Sequence, residues 1–536
     1  MTRKLDCIPV MALILVNAAM VTAQPVPNLF VTAENCMACH NGLLTPTGED
    51  VSIGVGWRGS MMANAARDPY WQAAVRRETL IHPTASAAIQ NECSACHMPM
   101  ARFQDNAEGR MGEIFSHLPL SHGADPADLR AADGVSCSVC HQIGDEELGE
   151  RSSFTAGFHL DTTTPEGERQ VYGPYEVGEG RMSLMRSASR FLPKKGGHIQ
   201  SSELCATCHT LFTHTLDADG EVVGELPEQV PYLEWKHSTY AGVTSCQDCH
   251  MPVVEGEVAI SSVLGVSRQE VSRHVFRGGN ILMPRILNAH RQVLAVTALP
   301  QELATTVEQT TRNLQTRAGK VAIENAEAGD DLLRAEVVIT NLAGHKLPSA
   351  YPSRRTWIHL RVVSASGDIV FESGRFNPDG SISGNDNDVE PSRFEPHYDT
   401  IDHPEKVQVY EAIMGEPDGS VTTVLLSAST YLKDNRLLPA GFDKTTADHD
   451  IAVHGGAGED ENFIGGGDRV GYVVDVGGQE GPFVIEAELW YQPVAYRWAH
   501  NLADQQAPEI DRFIGYYEEM AGESGVILAS ATAIAQ

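Results

Sequence analysis

The chain has 536 residues, of which 42% are hydrophobic, and its 71 acidic against 39 basic side chains give a formal net charge of −32. That length exceeds one ordinary core, so two domains are expected, and the composition is that of a globular protein without a low-complexity tract. So negative a chain excludes nucleic acid and anionic membrane surfaces as partners, and favours protein partners that are basic or that meet a local positive patch.

Arg3 and Lys4 precede an apolar run from Ile8 to Val21, and Val21-Thr22-Ala23 closes it with small residues. This reads as a signal peptide over residues 1–23, with the mature chain beginning near Gln24. The run is too short for a transmembrane span, and no later stretch is apolar enough to be one. Cys7 lies ahead of the run and is lost with it. Export to the periplasm or the cell exterior is therefore expected.

The other ten cysteines fall into five pairs of identical spacing, each followed at once by histidine. They are Cys36, Cys39 and His40; Cys93, Cys96 and His97; Cys137, Cys140 and His141; Cys205, Cys208 and His209; and Cys246, Cys249 and His250. Two thiols at this spacing add across the vinyl groups of a haem, and the adjoining histidine becomes the proximal iron ligand. Structural zinc does not need a histidine after every pair, disulfides do not need uniform spacing, and redox C-x-x-C centres come singly. The expectation is five covalent c-type haems held close together, suited to electron transfer.

A second axial position remains at each iron. His198 stands seven residues before Cys205 and His237 nine before Cys246. His274 lies in SRHVFRGGN, where the glycines let backbone approach a flat macrocycle, and His345 lies in the loop NLAGHKLPS. These four are the leading distal candidates. His117 and His122, beside a Pro-containing loop, and the thioethers of Met61 and Met62 are secondary ones. His82, His159, His214 and His290 read as ordinary polar side chains.

Between the motifs the chain reads as short helices and loops. Met61 to Arg77 has helical character interrupted near Asp68-Pro69, and Gln301 to Thr316 is a helix opened by Pro300. Beyond Lys320 short β-branched runs alternate with turns: Val321–Ile323 and Leu333–Ile339 around Gly329-Asp330-Asp331, then Trp357–Val363, Ile369–Phe371, Val407–Tyr410, Val421–Leu426, Val470–Val476 and Phe483–Trp490. A last helix spans about Glu509 to Met520. The fold class is thus α+β, with a helical and loop-rich haem domain over residues 24–299 and a sandwich-like β domain over 300–536. The loop from Asn377 to Glu390 carries Asp379, Asp386 and Asp388, a candidate calcium site without EF-hand spacing.

The segments WRGSMMANAARDPYW, GVSCSVCHQ, HIQSSELCATCH, LEWKHSTY and SRHVFRGGN resemble the multihaem cytochromes c related to hydroxylamine oxidoreductase and its tetrahaem electron acceptor. GHKLPSAYPSRRTW and YLKDNRLLPAGF are similar to the β-rich extension of some members. The resemblance implies proximal ligation by the five motif histidines and distal ligation mostly by histidines from other segments. Hydroxylamine oxidoreductases carry more haems and a special catalytic one, and the related pentahaem nitrite reductases use a C-x-x-C-K motif; all five motifs here end in histidine. The resemblance therefore favours an electron carrier. An enzyme acting on a small nitrogen or sulfur compound at an open haem is the alternative, as is a subunit stacking haems along a polymer.

Overall fold

The computed structural model describes residues 26–121, 123 and 125–536; the apolar leader, Cys7 and His122 lie outside them. Helices and strands are both well represented, giving an α+β protein. Among the described residues no helix is long and apolar enough to cross a membrane.

Up to residue 317 the chain is mainly short helices. The helical stretch after Met61 is broken where the sequence indicated: a short 3-10 turn at Ala65–Arg67 ends at Asp68, and a helix begins at Pro69 and runs to Ile81. Asp68 stops it from extending backwards: its carboxylate accepts from Tyr70 N at 2.9 Å and Trp71 N at 3.3 Å, and Pro69 occupies the first turn, where no amide hydrogen is needed. The helix opened by Pro300 extends to Arg317. Three strand pairs that the sequence did not signal lie in this half: Gln170–Gly173 runs parallel to Leu192–Lys195, Leu211–Leu216 pairs antiparallel with Val222–Gln229, and Val258–Ala259 pairs antiparallel with Ser267–Arg268.

The second half has three sheets: a small one of Val421–Thr422, Ala412–Gly415 and Thr430–Asp434, and two larger ones that pack as a sandwich. One sheet runs Ile369–Ser373, Arg355–Val363, Phe483–Gln492, Val526–Ala535, with Val409–Tyr410 added to Arg355–Val363. The other runs Thr400–Ile401, Gly467–Asp475, Leu332–Asn341, Gly319–Gly329. Val337, Ile339, Leu360, Val362, Val470 and Leu489 from the two sheets share one buried cluster. Asp330 and Asp331 close the first hairpin with φ of 53° and 61°, the left-handed pair that a two-residue turn requires. Val421–Leu426 is not one strand: only Val421–Thr422 pairs, because the amides of Leu425 and Leu426 donate to the Glu78 carboxylate at 2.8 and 3.3 Å. The strand Val526–Ala535 was not foreseen: alanine, a weak strand former, fills every second position from Ala529 to Ala535 and dilutes the signal of Val526, Ile527, Thr532 and Ile534.

The last helix, Pro508–Met520, packs on the first half rather than on the sandwich. Phe513 and Tyr517 share a buried cluster with Tyr70, Ile286 and Leu287, and Arg76 grips Glu509 with two bonds of 3.0 Å.

Candidate functional site: five cysteine-histidine motifs

Each motif begins in a short helix or helical turn. In that geometry residues i, i+3 and i+4 share a face, so the two thiols and the histidine project together. The helices are Ala33–Met37, Ser86–His97, Cys137–Cys140, Ser202–His209 and Cys246–His250. All ten cysteines are free thiols and none is fully buried. Free cysteine is ordinarily among the most buried residue types, so ten partly open thiols fit attachment of a bulky group alongside them.

The motifs adjoin one another. The Cys36 thiol lies beside that of Cys137, Cys96 beside Cys208, and Cys205 beside Cys246, while Cys140 is near both Cys205 and Cys208. The fourth motif therefore neighbours the second, third and fifth, and the first reaches it through the third.

Four motif histidines are tethered in the same way. Nδ1 donates to a backbone carbonyl: His40 to Ile260 at 2.6 Å, His97 to Ala65 at 3.1 Å, His141 to Tyr172 at 2.6 Å, and His250 to Arg277. This tether fixes the tautomer and leaves the Nε2 lone pair free for a metal. Desolvation pushes His97 and His209 down to about 4 and lowers His141 and His250, so all four are neutral near pH 7. Trp71, which the sequence did not single out, stacks on His97 at 4.3 Å with parallel planes.

Two of the other histidines meet motif histidines. The ring centres of His141 and His274 are 6.3 Å apart with planes at 20°, and those of His250 and His345 are 6.3 Å apart at 15°. Contact stacking in this molecule is much closer, as for His290 on Tyr516 at 3.7 Å. Two metal–imidazole bonds of about 2.0 Å each, with the ring radii added, would span the larger separation. His274 and His345 carry the same tether, Nδ1 donating to Ser272 O at 3.2 Å and to Lys346 O at 2.8 Å. Burial, reinforced by His141, brings His274 down to about 4. Of the glycines after His274, Gly279 makes room for Tyr491, whose hydroxyl would lie 2.5 Å from a Cβ there, whereas a Cβ at Gly278 would meet open space.

The remaining candidates have other neighbours. His198 Nε2 donates to Ile143 O at 2.9 Å, and His237 Nε2 to Asp443 O at 3.2 Å, which engages the nitrogen that His274 and His345 leave free. His117 Nδ1 is bonded to Asp128 at 2.9 Å, a tether that leaves its Nε2 free. Met61 packs at the edge of the Tyr70 cluster, and the Met62 carbonyl accepts from Val135 N at 2.9 Å beside the third motif. His82 bonds Ser427 at 3.3 Å, and His159, His214 and His290 pair with Glu146, Glu92 and Glu519.

A buried ionic network holds the loop of His345. Glu234, fully buried in the helix Pro231–Lys236, accepts from Lys346 N at 3.1 Å and Ser349 Oγ at 2.6 Å, and pairs with Arg436 at 3.0 Å. Lys346 Nζ reaches Asp434 at 2.7 Å, which also binds Arg436 at 2.7 Å. Asn341 adds a bond to His345 O at 2.9 Å.

The acidic loop does not assemble as a calcium site, because its three carboxylates have other partners. Asp379 caps Ser381, Asp386 pairs with Arg393, and Asp388 binds Arg355 at 2.7 Å and Ile382 N at 2.7 Å. His397, Asp460 and Asp468 cluster within 4.8 Å. There His397 Nδ1 accepts from the amides of Gln408 at 2.8 Å and Asn435 at 3.1 Å, which puts its proton on Nε2, facing Asp460 at 3.1 Å. The cluster is a closed hydrogen-bond network with no lone pair on Nε2 to offer an ion.

No family model and no curated protein matches this chain. Among solved structures, the fold is similar to that of a penta-haem cytochrome c552 from Thermochromatium tepidum, with a TM-score of 0.51 over 95% of this chain and 100% of that one. Identity is 14%, so the likeness is one of fold.

Proposed function

We propose that this chain is an exported multihaem c-type cytochrome that moves electrons among five covalently attached haems. The carrying observation is the pair of imidazole couples, His141 with His274 and His250 with His345, each 6.3 Å apart with near-parallel rings above a C-x-x-C-H motif. Ten free and partly open thiols and the penta-haem fold neighbour support the same reading. A bound c haem supplies a one-electron iron couple, whose potential its axial ligands and surroundings set.

The chain's own residues perform the rest. Cys36, Cys39 and their eight counterparts anchor the macrocycles. His40, His97, His141, His209 and His250 offer proximal nitrogens, and four of these are aimed by carbonyl tethers. His274 and His345 would hold two of the haems from the distal side, a ligand set that suits electron transfer rather than substrate binding. Adjacency of the thiols across motifs supports an exchange order of first, third, fourth, with the second and fifth branching from the fourth. In this reading residues 1–23 direct export and are removed, and a redox protein is the partner.

Purified protein made with haem maturation should give five haems per chain by pyridine haemochrome, retained through acid-acetone extraction. Fewer haems, or haem released by that extraction, would overturn the reading.

A further inference from the structure

Residues 180–200 hold five basic side chains and no acidic one, in a chain whose net charge is −32. Arg181, Arg186 and Arg190 are exposed on and just after the helix Glu179–Ser189, and Lys194 and Lys195 are exposed at the end of the strand Leu192–Lys195. Two of these cations have acidic neighbours, Arg186 with Glu168 at 3.9 Å and Arg190 with Glu166 at 4.0 Å. Exposed pairs at such separations neutralise little. Glu176 and Glu179 border the patch at the helix start.

An apolar surface adjoins the basic one. Val263, Leu264 and Val266 are 43%, 65% and 41% exposed, and Arg181 Nε donates to Leu264 O at 2.8 Å, joining helix to loop. The loop is fastened to the first motif: Ser262 N and Oγ donate to Cys39 O at 2.8 and 3.0 Å, and the Ile260 carbonyl tethers His40. The basic strand is one ladder step from the third motif, because Lys194 lies in register with Tyr172, whose carbonyl tethers His141. An apolar centre rimmed by one sign of charge is how a transient interface steers and seats an oppositely charged partner.

We propose that this face docks an acidic redox protein and that electrons cross there to the first or third motif. The inference rests on the haem reading above. It takes up the second of the two partner types expected from the sequence, one that meets a local positive patch, because such a patch governs docking where net charge governs only the distant field.

The test uses the haem-loaded protein with an acidic [2Fe–2S] ferredoxin as probe, a basic monohaem cytochrome c as control, and dithionite as a small reductant. Exchange with ferredoxin should slow about tenfold or more between low and high salt. It should slow similarly at low salt in the quadruple variant Arg186→Glu, Arg190→Glu, Lys194→Glu, Lys195→Glu, and ferredoxin affinity by calorimetry should fall in parallel. Val263→Ser with Leu264→Ser should weaken binding without removing the salt dependence. Dithionite reduction and haem content should be unchanged in both variants. Docking is overturned if the quadruple variant exchanges with ferredoxin as fast as the parent, if the parent prefers the basic cytochrome, or if sedimentation shows the face occupied by a second copy of the chain. Absence of haem from the parent would instead bring down the function proposed above, so the two failures are distinguishable.

Discussion

The imidazole of His345 lies 6.3 Å from that of His250 with the planes 15° apart, although His345 belongs to the half of the chain that carries no cysteine motif. On the proposed reading, one iron is completed by the strand-rich half.

Replacing His345 by alanine should therefore convert one of the haems from low to high spin without loss of haem. Electron paramagnetic resonance would show one low-spin haem signal replaced by a high-spin one. His274→Ala should do the same at the third motif. An unchanged spectrum in either variant would exclude that pair.

Removing Glu234 should act on both stability and spin state. Its loss leaves Arg436 and Lys346 with one carboxylate, Asp434, between two buried cations. Breaking such a network costs about 3–5 kcal/mol, and Glu234→Ala also frees the Ser349 and Lys346 contacts that hold the loop. Denaturant titration should show that loss, with partial conversion of the same haem to high spin. Against the burial that would raise it, Arg436 and Lys346 hold Asp434 well below the usual carboxylate range. Its contribution is thus full above the unfolded carboxylate range and lost only in strong acid.

Glu78 and Glu228 should make stability fall as pH rises. Burial pushes each up to about 7. The folded chain therefore keeps protons that the unfolded chain releases near 4.3. The stabilisation is full below that value and disappears as pH climbs through about 7, at a cost on the order of 3 kcal/mol per group. Denaturation at pH 5 and pH 8 would measure the slope, and Glu78→Gln should flatten it while keeping an acceptor for the Leu425 amide.

Removing the fourth attachment site should split the electron path. Cys208 lies beside Cys96, Cys205 beside Cys246, and Cys140 near both. In Cys205→Ser with Cys208→Ser, electrons delivered at the third motif should reach the fifth far more slowly than in Cys36→Ser with Cys39→Ser. Stopped-flow or flash photoreduction with site-resolved spectra would separate the two.

The five motifs were legible because their chemistry is local: cysteine at i and i+3 and histidine at i+4 share a face whatever the surrounding fold. His274 and His345 could be singled out from glycine-containing loops, but their partners could not, because tertiary packing sets which distant segments meet. The tethering groups were invisible for another reason, being main-chain carbonyls such as those of Ile260 and Tyr172, which any residue supplies. The hairpin at Asp330-Asp331 was plain from turn chemistry, while in Val526–Ala535 alternating alanines diluted the branched residues Val526, Ile527, Thr532 and Ile534. The acidic loop misled because sequence counts carboxylates without showing that Arg355 and Arg393 already claim two of them.

The distance in sequence between His250 and His345 also has a meaning in time. A ribosome finishes the last cysteine pair well before it makes His345 and the strands that hold its loop. On the proposed reading, a chain exported only that far would offer its last cysteine pair to a haem before His345 could complete the coordination around it. Truncated or misfolded products would then carry an incompletely ligated iron, and a high-spin spectrum would distinguish them from the finished protein.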